Sequence, residues 1–167
     1  MERCIGKDDR LSVAELAAWR GMLRAHSHLL KELDAEMTAG HGLSLRSYEV
    51  LVFLEDAPRH RLRMSALSQS VLLSASGVSR LVDRLERDGY VRRERCDLDG
   101  RGFYATLTTA GANKVQNARS THLEGIRRLF LERFSAADLA RLAGYWERVL
   151  PGAADAAARG RKRETRD

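Results

Sequence analysis

The stretch Leu73-Ser74-Ala75-Ser76-Gly77-Val78-Ser79-Arg80-Leu81-Val82-Asp83-Arg84-Leu85-Glu86-Arg87-Asp88-Gly89 decides the reading of this chain. Ser74 is of a type whose side chain accepts a bond from a first-turn N–H, so a helix is predicted to start there. Val78, Leu81, Val82 and Leu85 recur at three- and four-residue spacing and make one inward face. Gly89 stands where a left-handed helix stop belongs. The other side carries Ser76, Arg80, Asp83, Arg84 and Arg87 as a solvent-facing stripe. The small hydroxyls of Ser76 and Ser79, a Gly77 that admits close backbone approach and a long Arg80 suit a DNA surface. An ordinary charged face, with Arg84 paired to Asp83 or Asp88, has the same pattern, so the stripe alone does not decide.

Upstream, Met64, Leu67 and Val71 share one side of a shorter helix, and the two helices make a helix-turn-helix candidate. Downstream the period changes to two. Phe103, Ala105 and Leu107 alternate with Tyr104, Thr106 and Thr108, which predicts a strand with one packed face. Tyr90-Val91-Arg92-Arg93-Glu94-Arg95 is a less regular strand before it, and Asp97-Leu98-Asp99-Gly100 between them holds an Asp-Gly hairpin signal. An arginine-rich hairpin beside a helix-turn-helix can act as a wing. Arg101 at its tip would enter the electronegative minor groove of A·T-rich DNA, and Asp99 either orients an arginine or is a plain turn residue.

Further out, Ser12-Val13-Ala14-Glu15 is a capping box that opens a first helix. Its seam of Leu16, Trp19, Leu23, His26, Leu30, Leu33 and Met37 needs an apolar partner, and Gly40 and Gly42 end it. A second helix from Ser44 turns Tyr48, Leu51, Val52 and Leu54 inward before Ala57-Pro58. After the hairpin come two more helices, one over about 109–133 and one opened by Ser135-Ala136-Ala137-Asp138, with Leu139, Leu142, Trp146 and Val149 on one stripe. These stripes are more than a small winged domain covers by itself, so they pair two copies or fill the core of one.

The predicted fold is therefore mainly α with a small β-wing: a winged helix-turn-helix domain plus a helical dimerisation region formed by the N- and C-terminal helices. Its expected divisions are a flexible 1–11, a dimerisation helix over 12–43, the winged domain over 44–108, dimerisation helices over 109–152, and a basic, disordered tail over 153–167.

A formal net charge of +6 favours a polyanionic partner, because lysines and arginines that neutralise phosphates release counterions. The N-terminus lacks a signal-peptide core and no run is long enough to span a bilayer, so a cytoplasmic protein without membrane contact is expected. Two cysteines, Cys4 and Cys96, do not make a disulfide scaffold. No glycine-rich phosphate loop, nucleophile motif or metal-ligand spacing occurs, so neither an enzyme nor a metal or other cofactor is expected. His26 and His28 lack the four-residue spacing of a helical metal pair.

Residues 62–67 and 73–91, with Asp99-Gly100-Arg101 and Leu107-Thr108 in the wing, closely resemble the MarR family of bacterial regulators. The resemblance covers about residues 12–150. Gly100 departs from it, since a basic residue is often found at that place. What the resemblance implies is a homodimer on a palindromic operator in double-stranded DNA, most often a repressor released by a small-molecule effector. It would place Ser65, Ser74, Ser76, Gly77, Ser79, Arg80, Arg84, Arg95, Asp99 and Arg101 at the DNA. An effector between the dimer helices and the DNA-binding lobe would meet Trp19, His26 and Tyr48, with His122 nearby; structural roles for both histidines are the alternative. Two other functions stay open: an architectural DNA-binding protein with no effector, and a redox-sensing regulator in which Cys96, among Arg93, Arg95 and Arg101, carries a reactive thiolate.

Overall fold

The computed structural model describes residues 10–71, 73–95 and 102–152. Helix α1 spans Val13–His41, with Ser12 and Glu15 forming the reciprocal capping box, and it runs through Gly40 to a cap at Gly42, where φ is +60°. Helix α2, Leu45–Asp56, starts behind Ser44. A short 3-10 turn, Pro58–His60, leads into strand β1, Arg61–Arg63. Helices α3, Met64–Ser70, and α4, Ala75–Arg87, form the helix-turn-helix. Strands β2, Val91–Arg95, and β3, Phe103–Leu107, form the wing hairpin, followed by α5, Thr109–Leu129, and α6, Ala136–Val149.

One apolar cluster runs through α1 to α5 and the sheet. Met37, Val50, Leu51, Leu54, Leu67, Val78, Val82, Leu85, Val91 and Val115 are its largest fully buried members. The inward face expected of α4 is the face observed, and Ser74 caps that helix.

Three expectations need correction. The sheet has three antiparallel strands in the order β1-β3-β2, where the sequence predicted two. Arg61 pairs with Thr106 and Arg63 with Tyr104 across the added edge, over a segment too short to show a period of its own. As a result β3 is a central strand, and Ala105, Thr106 and Leu107 are all buried instead of alternating, while Phe103 is exposed. The helix expected over 109–133 ends at Leu129 and continues as a 3-10 turn, Leu131–Arg133. Finally, Val52 is only partly buried, and Val50 takes its place in the core.

The two candidate dimerisation stripes fare differently along their length. Leu33 and Met37 lie in the core, whereas Trp19 and Leu23, on the same seam of α1, are exposed. Helix α6 buries no residue at all, and Tyr145, Trp146 and Val149 face solvent.

Candidate nucleic-acid interface

At the start of α4 the Ser74 hydroxyl accepts from the Gly77 amide at 3.2 Å and lies 3.2 Å from the Ser76 hydroxyl. A Cβ on residue 77 would sit 3.2 Å from that Ser74 oxygen and 3.6 Å from the Leu73 Cβ. Gly77 thus makes room for the cap, a local reason for glycine beside its openness to a partner. Ser76, Arg80, Arg84 and Arg87 are exposed along the outer side. Arg87 Nε reaches back to the Asp83 carbonyl at 3.4 Å, and among the described residues neither Arg80 nor Arg84 has an ion partner. Two long cations near a helix face are thereby available to an anion.

Asp83 is not a partner of Arg84. It is held by Arg93 of β2, and the same guanidinium reaches Glu86 at 3.5 Å, the Ser79 carbonyl at 3.2 Å and the Ser79 hydroxyl at 3.3 Å. The Arg93 amide also donates to Glu86 at 2.9 Å. Ser79, expected at the DNA, is half-buried and turned to the hairpin. The role of Arg93 was missed in the sequence, although a signal existed: Val91 and Arg93 share a strand face, and an arginine on a face that packs requires acceptors.

Ser65 is exposed in the first turn of α3, where its carbonyl accepts from the Ser68 hydroxyl at 2.8 Å. Arg95 is exposed at the end of β2, opposite Phe103. Asp99, Gly100, Arg101 and Cys96 lie outside the described residues, as does Cys4. On the outer face of the sheet, the Arg61 guanidinium stands 4.7 Å and that of Arg63 5.7 Å from the Tyr104 ring centre. Glu94 accepts from Arg92 at 2.7 Å and pairs with Arg61 at 3.5 Å.

The three residues expected around an effector do not converge within one chain. Tyr48 is buried, and its ring packs against His122 with centroids 4.7 Å apart. Burial pushes the Tyr48 hydroxyl pKa up and the His122 pKa down, so both favour the neutral form. Trp19 and His26 are exposed on the first half of α1; Trp19 lies about 21 Å along the helix from Leu33, where α1 enters the core. Beside Tyr48 and His122, Glu55 on α2 pairs with Arg119 on α5 and accepts from Gln116 at 2.7 Å.

This arrangement has close relatives. The MarR family profile matches residues 41–102. AbsC from Streptomyces coelicolor, a MarR family transcriptional regulator, is 31% identical, with a TM-score of 0.78 over 89% of this chain and 97% of its own. The chain belongs to the MarR family. Its members are transcription regulators and not enzymes. Another MarR family regulator from Streptomyces coelicolor, Sco3205, solved in complex with DNA, is 31% identical with a TM-score of 0.82, covering 88% of this chain and 91% of its own. The HTH-type transcriptional repressor YetL of Bacillus subtilis is 33% identical over 88 residues, 53% of each sequence. The present chain thus spans about half the length of that curated relative.

Proposed function

We propose that this MarR-family chain is a cytoplasmic repressor that binds a palindromic DNA operator as a homodimer and is released by a small-molecule effector. The observation that carries DNA binding is the outer face of α4, where Ser76, Arg80 and Arg84 stand exposed on a capped helix and neither arginine has an ion partner among the described residues. Such a helix presents its first turns to a major groove, while a wing reaches the neighbouring minor groove through Arg101. The DNA complex of Sco3205 supports the same use of this fold, and the repressor named YetL supports the direction of regulation.

The exposed apolar residues of α1 and α6 support a second copy as partner. Trp19, Leu23, Tyr145, Trp146 and Val149, with exposures from 41% for Trp146 to 76% for Val149, make an apolar surface of a kind that a soluble monomer rarely leaves open. Two recognition helices related by a two-fold axis then face one side of the duplex about one helical turn apart, roughly 10 base pairs. An effector releases DNA only by binding the free dimer more tightly than the bound one.

Light scattering and footprinting of the purified protein on its own upstream region test this reading. A dimer that protects a palindrome, and prefers it roughly a thousandfold over random DNA, is the expected result. A monomer at micromolar concentration, or equal affinity for all sequences, refutes it; the latter favours an architectural role. A thermal-shift screen with aromatic acids tests the effector. The expected compound raises dimer stability and lowers operator affinity, and a screen in which every stabilising compound leaves operator binding unchanged goes against release by a ligand.

A further inference from the structure

We infer that Arg93 is a positioning residue that locks the recognition helix to the wing and keeps two α4 carboxylates from competing with DNA. The inference rests on the proposed use of α4 in DNA recognition and adds to it the device that sets the pose of that helix.

The geometry comes from one guanidinium on β2 meeting four acceptors on α4. Asp83, Glu86, the Ser79 hydroxyl and the Ser79 carbonyl span two turns of the helix, and the Arg93 amide adds a fifth bond, to Glu86. A planar fork that bridges two turns fixes both the roll of a helix and its distance from the strand, which a single ammonium cannot do. Roll matters here because Ser76, Arg80 and Arg84 leave α4 on its outer side, and a small rotation moves their tips relative to base edges.

Electrostatics gives the second half. Asp83 lies three residues after Arg80 and four before Arg87, the spacings at which helical ion pairs form. Left alone, Asp83 would draw in the cations that the DNA needs and would itself repel phosphate. With Arg93 on it, Arg80 and Arg84 keep no partner among the described residues. The Arg93 side chain is 25% exposed and those of Asp83 and Glu86 are 48% and 39% exposed, so this cluster is screened by water and adds little to global stability. Its effect is on geometry.

The test compares full-length wild type with Arg93→Gln, Arg93→Lys and the exchange Arg93→Asp with Asp83→Arg. Operator and random-DNA titrations at two salt concentrations are read beside amide exchange of the DNA-free protein. In Arg93→Gln the operator affinity should fall roughly tenfold or more, the loss of about one good base contact, while random-DNA affinity, which loses only the screening of the two carboxylates, should fall clearly less and the salt slope should stay near wild type. Arg93→Lys keeps the charge and an ion pair, which guards against misfolding, yet it should lose most of the same operator preference. The exchanged pair should recover part of it. In both single variants the Arg93-position amide and the second turn of α4 should exchange faster with little change in melting temperature. A parallel drop on operator and random DNA, with a salt slope smaller by about one, would make Arg93 a phosphate contact and overturn the inference. Unchanged operator preference with unchanged exchange overturns it as well. A wild type that shows no operator preference defeats the DNA-recognition reading instead, and faster exchange in the variants would still establish the lock.

Discussion

Replacing Gly111 by alanine should destabilise the protein at the joint between wing and α5, and the structure gives the size of the effect. Thr108 caps α5 by accepting from the Gly111 amide at 3.0 Å, while its own hydroxyl donates to the Gly89 carbonyl at 2.7 Å and its amide to the Tyr90 carbonyl at 3.1 Å. A Cβ at 111 would fall 2.2 Å from that Tyr90 oxygen and 2.7 Å from Leu107 Cδ1. The obstacle is backbone, so relief requires the strand end to retreat by about 1 Å, which costs about 1–3 kcal/mol as overpacking. Weakening the Thr108 bond to Tyr90 adds about 1 kcal/mol, and alanine returns about 0.5–1 kcal/mol by its better helix propensity. The net loss is about 2 kcal/mol, or roughly 4–8 °C in melting temperature for a chain of this size.

Gly125→Ala is the matched control. There the added Cβ would meet Leu33 Cδ2 at 2.7 Å and Glu36 Oε2 at 2.9 Å, both ends of side chains that can turn away. The helix-propensity gain offsets most of that adjustment, and the expected change is within about 1 kcal/mol. Scanning calorimetry of both variants at one fixed protein concentration makes the comparison, because any oligomer would otherwise shift the midpoint by mass action. If Gly111→Ala melts within a degree of wild type, or Gly125→Ala is the worse of the two, backbone contact at the joint is not what requires glycine.

Arg80→Ala should relax base preference in operator titrations, as should Ser76→Ala, whereas Arg84→Ala, further from the end that enters the groove, should weaken all DNA alike. Burial lowers the His122 pKa below its ordinary 6.5, so the unfolded chain takes up the proton first; stability is full above about pH 6.5 and declines as pH falls from there towards the folded-state value. Denaturant midpoints from pH 8 to 5 should therefore fall less in His122→Phe, which keeps a ring against Tyr48, and an identical pH profile would refute this. Arg101→Ala should cost about 1–3 kcal/mol of operator binding and some preference for flanking A·T pairs without lowering stability. Asp99→Ala should also weaken binding if Asp99 orients Arg101, and tighter binding would show a turn residue that repels phosphate.

The helix-turn-helix was legible because its determinants are local. Ser74, Gly89 and the spacing of Val78, Leu81, Val82 and Leu85 each act within a few residues, so reading them needs no knowledge of the rest of the chain. What escaped is tertiary. Val91 and Arg93 declare a shared face by alternation, but only the angle between hairpin and α4 decides that Asp83, Glu86 and Ser79 are the acceptors. Strand β1 is three residues long, below the length at which a period of two can be seen, and its pairing is what turns Thr106 from an outward position into a buried one between Arg61 and Arg92. Tyr48 was identifiable as an inward aromatic of α2, but its contact with His122 depends on where α5 crosses.

The long seam of α1 shows the limit of periodicity most directly. Trp19, Leu23, Leu33 and Met37 obey one spacing rule, yet the last two are buried by α2 and α5 of their own chain and the first two are bare. Periodicity reports that a face needs cover and carries no information on which chain supplies it. The bare half can be assigned only by asking what else lacks cover, and α6, which buries none of its residues, has the same need. Two unfilled apolar stripes on one chain are satisfied together when a second copy brings the same two stripes, since a two-fold axis lets each stripe serve as the other's partner. A heterologous partner would need a surface of matching length and spacing that nothing in this chain specifies, and this is the argument for placing the homodimer contact on α1 and α6.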